Sequence, residues 1–225
     1  MTEQHDENKP LYGSRGIEVY LKLLKSKYSN VDVAELLRYA EMEPYQVTDE
    51  GHRFSQKQIN LFHEKIVELT GNKNIAREAG RFASSPEAMG TLTGSVISLL
   101  GPLRYYELIG SFANKISKSS HYEARKLAHN KVEITVTPYP GTMEQPYQCE
   151  NRMGYWEAVS SIFSLDPPVI IHPKCLFKGD DVCHYIVSWK ESTAFILKRI
   201  RNITAITLGI AVSYTHLTLP TKRIV

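Results

Sequence analysis

Apolar residues in the N-terminal half of the chain recur with the spacing of amphipathic helices. The stretch "GIEVYLKLLKSKY" places four such residues on one helical face, namely Ile17, Tyr20, Leu21 and Leu24. A second stretch, "FSQKQINLFHEKIVELTGN", repeats the pattern between two boundary signals. Ser55 is suited to the N-cap and Gly71 to the C-terminal stop, so the sequence predicts a complete helix between them.

The period then changes to the alternation that is typical of strands. "YEARKLAHNKVEITVTPYP" predicts a hairpin that turns at "HNK", and "NRMGYWEAVSSIFSL" predicts an apolar helix. "PPVIIHPKCLFKGDDVCHYIVSW" then predicts a strand, a loop and another strand. This order predicts an α+β fold in which helices pack on a small antiparallel sheet, with a helical N-terminal extension.

Composition and charge narrow the functional classes. Of 225 residues, 42% are hydrophobic and 23% charged, which is sufficient for a globular core. The net charge is +3 and basic residues alternate with acidic ones, so we expect no nucleic-acid surface. The polar start "MTEQHDENKP" is not a signal peptide, and three cysteines do not form a disulfide framework. We therefore expect a cytoplasmic domain.

The cysteines nevertheless suggest a metal site. Four candidate ligands follow one another as Cys149, His172, Cys175 and Cys183. Three thiolates and one imidazole form a recognised tetrahedral set for structural zinc, and the "KGDD" turn allows the last two cysteines to face each other. Rival ligands are His184, Glu150 and Asp180. The alternative is that the cysteines are small buried residues without a metal.

The segments "ENRMGYWEAVSSIF" and "HPKCLFKGDDVCHYIVSW" resemble the 4-vinyl reductase domain family. The resemblance covers about residues 75–190 and is most specific at Gly154, Cys175, Gly179, Asp181 and Cys183. Related sensor modules of aromatic-responsive bacterial activators bind a structural zinc through three cysteines and one acidic residue. His172 stands at the acidic position here, a departure that keeps a competent ligand.

A longer resemblance extends to the N-terminal sensor regions of bacterial membrane histidine kinases. It implies a non-enzymatic domain that binds a small hydrophobic or aromatic ligand, and we expect a homodimer. Candidate ligand-binding residues are Tyr105, Tyr106, Ile109, Phe112, Tyr155, Trp156 and Phe163. The same residues at helical spacing are also typical of a core. His63, on the helix after Ser55, is an alternative axial ligand for heme.

Two other functions stay open. The first is a vinyl reductase-type enzyme or an accessory protein of a tetrapyrrole pathway, and the second is an assembly module. "TGNKNIAREAG" lacks the glycine order of a dinucleotide-binding loop, and no nucleophile elbow is present, which favours a sensor over an enzyme.

The chain divides into five predicted ranges. They are a flexible leader (1–15), a helical region (16–74), the 4-vinyl reductase-like sensor domain (75–190), an exit helix (191–212) and a non-native tail (213–225). The exit helix is either an amphipathic or buried helix or the beginning of a truncated transmembrane helix that provides membrane attachment. Only ten mostly apolar residues, 203–212, support the second interpretation, whereas a membrane span needs about 20.

Overall fold

A computed structural model describes the backbone of residues 6–90, 97, 100–163, 165–191 and 193–218, and their side chains except those of residues 86, 109–112, 114–116, 194, 198–199 and 215–218. The helices are α1 Ser14–Lys27, α2 Val33–Tyr39, α3 Pro44–Thr48, α4 Gln56–Thr70, α5 Ile75–Phe82, α6 Pro86–Met89, α7 Pro102–Ile116, α8 Pro146–Phe163 and α9 Thr193–Thr218. The strands are β1 Pro10–Gly13, β2 Arg53–Ser55, β3 Ser120–Ala128, β4 Lys131–Pro138, β5 Val169–Lys174 and β6 Cys183–Ser188. The α+β prediction is confirmed.

The N-terminal helices begin and end where their capping residues predict. Ser55 accepts a hydrogen bond from the Gln58 backbone N–H, and the Gln58 side chain accepts one from the Ser55 backbone N–H in return. Gly71 ends α4 in the left-handed conformation with φ 65°. Ile17 and Leu24 of the predicted α1 stripe are buried with Phe62 of α4. These helices therefore share one core.

A short two-stranded sheet joins the start of the chain to these helices. β1 pairs antiparallel with β2, and the Leu11 carbonyl also accepts a hydrogen bond from the Lys118 backbone N–H. Residues 10–13 lie within the range predicted as a flexible leader, and their pairing partner lies about 40 or more residues away in sequence. This distant pairing is what orders them.

The larger sheet has the strand order β3-β4-β6-β5 and is antiparallel throughout. β4 buries alternate residues, Val132, Ile134 and Val136, as its period-two pattern predicts. The buried face of β6 includes Tyr185, whose ring meets the Trp156 ring of α8 edge-on at a centroid distance of 6.2 Å. The sheet therefore packs against α8.

Two glycines let α8 approach α5 closely. A Cβ atom on Gly154 would lie 2.9 Å from the Arg77 carbonyl carbon and closer still to its oxygen. A Cβ atom on Gly80 would meet the Asn151 carbonyl group in the same way. The two backbones therefore touch, and this contact fixes the position of α8.

The structure divides into two compact units, Met1–Lys190 and Glu191–Val225. The second contains α9, whose apolar side chains are largely exposed, and residues 213–218 of the predicted tail continue this helix. No helix among the described residues is long and apolar enough to cross a membrane. The functional meaning of the five ranges stays a prediction.

Candidate functional site

A cavity of about 160 Å³ lies inside the first unit, bounded by β1, α1, α4, the start of β3 and the first turns of α8. Its lining combines aromatic rings with a few polar side chains. The residues are Tyr12, Gly13, Gly16, Ile17, Tyr20, Ile59, Phe62, His63, Ser117, Ser119, Tyr122, Tyr147, Gln148, Asn151 and Arg152. Mostly apolar walls with a small number of polar groups are typical of a ligand pocket.

A hydrogen-bond network holds the tyrosine side of the cavity together. The Tyr147 hydroxyl donates to Asn60 Oδ1 at 2.7 Å, and Gln56 Nε2 donates to the same Asn60 oxygen at 2.7 Å. The Tyr12 hydroxyl donates to Gln56 Oε1. Burial raises the pKa of Tyr12 to about 12 and raises the pKa of Tyr147 further, so both hydroxyls stay protonated at neutral pH.

His63 contributes an imidazole that carries no charge at neutral pH. Its ring stacks on the Tyr147 ring at a centroid distance of 3.8 Å with 9° between the planes. Burial lowers the pKa of His63 to about 4. Nε2 is buried and has no hydrogen-bond partner among the described residues. His63 therefore offers an unused polar atom beside the cavity.

Arg152 is the charged residue of the lining, and two of its three nitrogens donate hydrogen bonds. Nη2 donates to Glu144 Oε2, and Nε donates to the Tyr122 hydroxyl at 2.9 Å. The hydroxyls of Ser119 and Ser120 donate to Glu144 Oε1 at 2.7 Å and 2.6 Å. Nη1 is buried and has no partner in the described part of the chain.

The Arg152–Glu144 pair is deeply buried, since each residue is only 7% exposed. Burial raises the pKa of Glu144, but the charge and hydrogen bonds of Arg152, together with the two serine hydroxyls, outweigh burial and leave that pKa lowered. Glu144 is therefore ionised at neutral pH. The pair adds no net charge beside the cavity.

The four predicted metal ligands come together between the first turn of α8 and the strands β5 and β6. Cys149 lies in the first turn of α8, His172 on β5, Cys175 just after β5 and Cys183 at the start of β6. Their ligand atoms all lie within 4.8 Å of one another. The turn is held by Asp180 Oδ2, which accepts from the Cys175 backbone N–H at 2.8 Å, and by Gly179 with φ 96°.

The electrostatics of this cluster depend on the paired thiols. The hydrogen bond with Cys149 lowers the pKa of Cys183 to about 5, and the same interaction raises the pKa of Cys149. The rival ligand His184 lies outside the cluster, with Nε2 2.7 Å from Glu133 Oε1. That the four residues hold a metal ion stays a prediction.

The residues predicted to bind the ligand lie elsewhere, where they pack on one another. Tyr105 stacks with Tyr155 and meets the Phe163 ring edge-on at 5.9 Å. The Tyr106 hydroxyl donates to the Trp156 carbonyl at 2.9 Å. The side chains of Ile109 and Phe112 lie outside the described residues. None of the five described residues lines the cavity, and their role in ligand binding stays a prediction.

Sequence patterns alone do not indicate the cavity. Its residues come from positions between 12 and 152, and none forms a recognised motif. One signal is present: Arg152 lies in the apolar helix segment "NRMGYWEAV", where a charge must find a buried partner. For His63 the sequence suggests only the role of an axial heme ligand.

Solved structures of H-NOX domains share this fold. An H-NOX protein from S. oneidensis in the Fe(II)NO state is 14% identical, with a TM-score of 0.61, and the match covers 79% of this chain and 99% of that one. An oxygen-binding H-NOX domain related to soluble guanylate cyclases is 16% identical, with a TM-score of 0.62, covering 80% and 95%. A third, from a study of heme distortion in the H-NOX family, is 18% identical, with a TM-score of 0.59, covering 79% and 95%. The sequence matches no protein-family model and no curated protein.

These similarities correct two predictions. The assignment to the 4-vinyl reductase family is wrong, because the similar solved structures are H-NOX domains. Local motifs such as the cysteine hairpin suggested that family, whereas the arrangement of the whole unit does not support it. The predicted structural zinc is also contradicted: heme is the group named for H-NOX domains, and the proximity of four donor atoms does not by itself indicate zinc.

Proposed function

We propose that residues 1–190 form a small-molecule sensor domain of a signalling protein, and that the cavity beside His63 and Arg152 is its ligand site. The observation that carries the proposal is a half-open cavity with aromatic walls and two buried polar atoms without partners among the described residues. The H-NOX structures, one of them bound to oxygen and another to NO, support a sensing role for this fold. We propose a binding role and not an enzymatic one.

The size of the cavity indicates the size of the ligand. An apolar protein cavity of about 150 Å³ holds one benzene molecule. A cavity of about 160 Å³ therefore suits a molecule with a single ring or a similar volume. The predicted small hydrophobic or aromatic ligand agrees with this size.

Heme does not fit this cavity. Heme is at least as large as the drug-sized ligands that occupy cavities of about 300–1,000 Å³. His63 offers a neutral Nε2 that could ligate iron, but the space of about 160 Å³ beside it cannot hold a porphyrin. The proposed ligand is therefore smaller than the group that the H-NOX structures contain.

Methyl-labelled NMR tests the site directly. Acetophenone or ethylbenzene added to the protein should shift the methyl signals of Ile17 and Ile59, which line the cavity, and leave those of Ile134 and Ile186 in the sheet unchanged. If neither probe shifts the methyl signals of Ile17 and Ile59, the proposed site is refuted. Hemin added in parallel should give no histidine-ligated absorption band, and such a band would refute the size argument.

Homodimerisation and an origin in a histidine kinase also belong to this proposal. Light scattering on the same sample measures whether the protein is a homodimer. The gene sequence beyond the present C-terminus decides the second.

A further inference from the structure

The buried guanidinium of Arg152 has one nitrogen that lacks a hydrogen-bond acceptor. Nη1 is the one nitrogen of this group without a partner among the described residues, while Nε and Nη2 are engaged by Tyr122 and Glu144. A buried polar group that lacks a partner is costly, and the cost is greatest for a charged group. Arg152 also lines the cavity. A ligand oxygen is therefore the partner that the site lacks.

The charge balance of the site restricts what can carry that oxygen. Arg152 is the only permanently charged residue among those described as lining the cavity, and ionised Glu144 already balances it. His63 is neutral, so no further positive charge from the described lining faces the cavity. A ligand carboxylate would add an uncompensated buried negative charge, which is unfavourable.

We propose that the site selects an uncharged molecule of single-ring size, whose acceptor oxygen binds Arg152 Nη1. This inference rests on the proposed function and defines its ligand class. Less than 1 Å² of the Nη1 surface is exposed, so the proposed contact requires the guanidinium to turn toward the ligand as binding occurs. Glu144, which accepts hydrogen bonds from Arg152 Nη2 and from the hydroxyls of Ser119 and Ser120, keeps the pair anchored on its other side.

Three probes of nearly equal shape test whether the site prefers a neutral acceptor oxygen, no oxygen or a charged carboxylate. Acetophenone has a neutral carbonyl oxygen, ethylbenzene has no oxygen, and benzoate has a charged carboxylate. Their dissociation constants follow from titration of the Ile17 and Ile59 methyl signals. We expect acetophenone to bind about tenfold or more tightly than ethylbenzene, because it supplies the acceptor. We expect benzoate to bind about tenfold or more weakly than acetophenone.

The results distinguish this inference from the proposed function. If no probe shifts the two methyl signals, the ligand site itself is rejected. If ethylbenzene binds as tightly as acetophenone, the cavity binds ligands but Arg152 does not select them. If benzoate binds most tightly, the argument from charge balance is wrong.

A double variant provides the matched control. Arg152→Met with Glu144→Gln removes both charges together and leaves neither one unpaired. This variant should lose the preference for acetophenone, so that its dissociation constants for acetophenone and ethylbenzene become nearly equal. A retained preference would overturn the role of Arg152. If the variant does not fold, the three probes with the wild-type protein decide the matter alone.

Discussion

The contact between α5 and α8 provides the most direct test of the structure. Substituting Gly154 by alanine would place a Cβ atom 2.9 Å from the Arg77 carbonyl carbon, whereas ordinary contacts are 3.4–4 Å. The helices must therefore separate by at least about half an ångström, and by more to clear the carbonyl oxygen. The obstacle is backbone, so no side-chain rotation relieves it.

The expected loss of stability follows from two opposing terms. Overpacking of a core costs about 1–3 kcal/mol, and a backbone obstacle favours the upper end of that range. Replacing glycine by alanine inside a helix raises the free energy of unfolding by about 1 kcal/mol, because alanine has the higher helix propensity. We expect Gly154→Ala to lower the free energy of unfolding by about 2 kcal/mol, which for a urea m-value of about 2 kcal/mol per molar lowers the midpoint by about 1 M.

Gly16→Ala is the matched control, because Gly16 lies in α1 and a Cβ atom there meets nothing within 4 Å. In Gly16→Ala only the higher helix propensity of alanine changes the stability, so the urea midpoint should rise slightly. Urea titration followed by circular dichroism measures both variants. A Gly154→Ala protein as stable as the wild type would refute the close approach of α5 and α8. Because α8 carries Arg152, this variant should also bind acetophenone more weakly.

Three further predictions concern other parts of the unit. Asp32→Ala removes the side chain that accepts hydrogen bonds from the Ala34 and Glu35 backbone N–H groups, and should cost about 1 kcal/mol in urea titration, whereas Asp32→Asn should cost little. The folded-state pKa of His63 is about 4, below its unfolded value of about 6.5, so its contribution to stability is complete above about pH 6.5 and is lost as pH falls toward 4. The urea midpoint should therefore fall less between about pH 7 and about pH 5 in His63→Phe than in the wild type, and equal slopes would contradict the burial of His63. If the cluster of Cys149, His172, Cys175 and Cys183 holds a metal ion, elemental analysis should find about one ion per chain, absent from Cys175→Ser with Cys183→Ser; a metal-free wild-type protein would reject that prediction.

The sequence by itself determined the order of the elements and many of their ends. Asp32 and Ser55 cap helices because the groups they bind are only two or three residues away. The alternation in β4 likewise depends on neighbours along the chain, and it correctly predicted which face is buried. The four donors of the cysteine cluster were found from ligand chemistry and spacing, and they do come together.

Only the tertiary structure decided where the cavity lies. Tyr12, His63 and Arg152 meet there from three separate elements, and no local pattern records such a meeting. The sequence likewise did not reveal that Tyr105 and Trp156 are buried, because that depends on their neighbours in space, and their role in ligand binding stays a prediction. Periodicity reports which face of an element avoids water, whereas a cavity arises where faces of distant elements fail to fill the space between them.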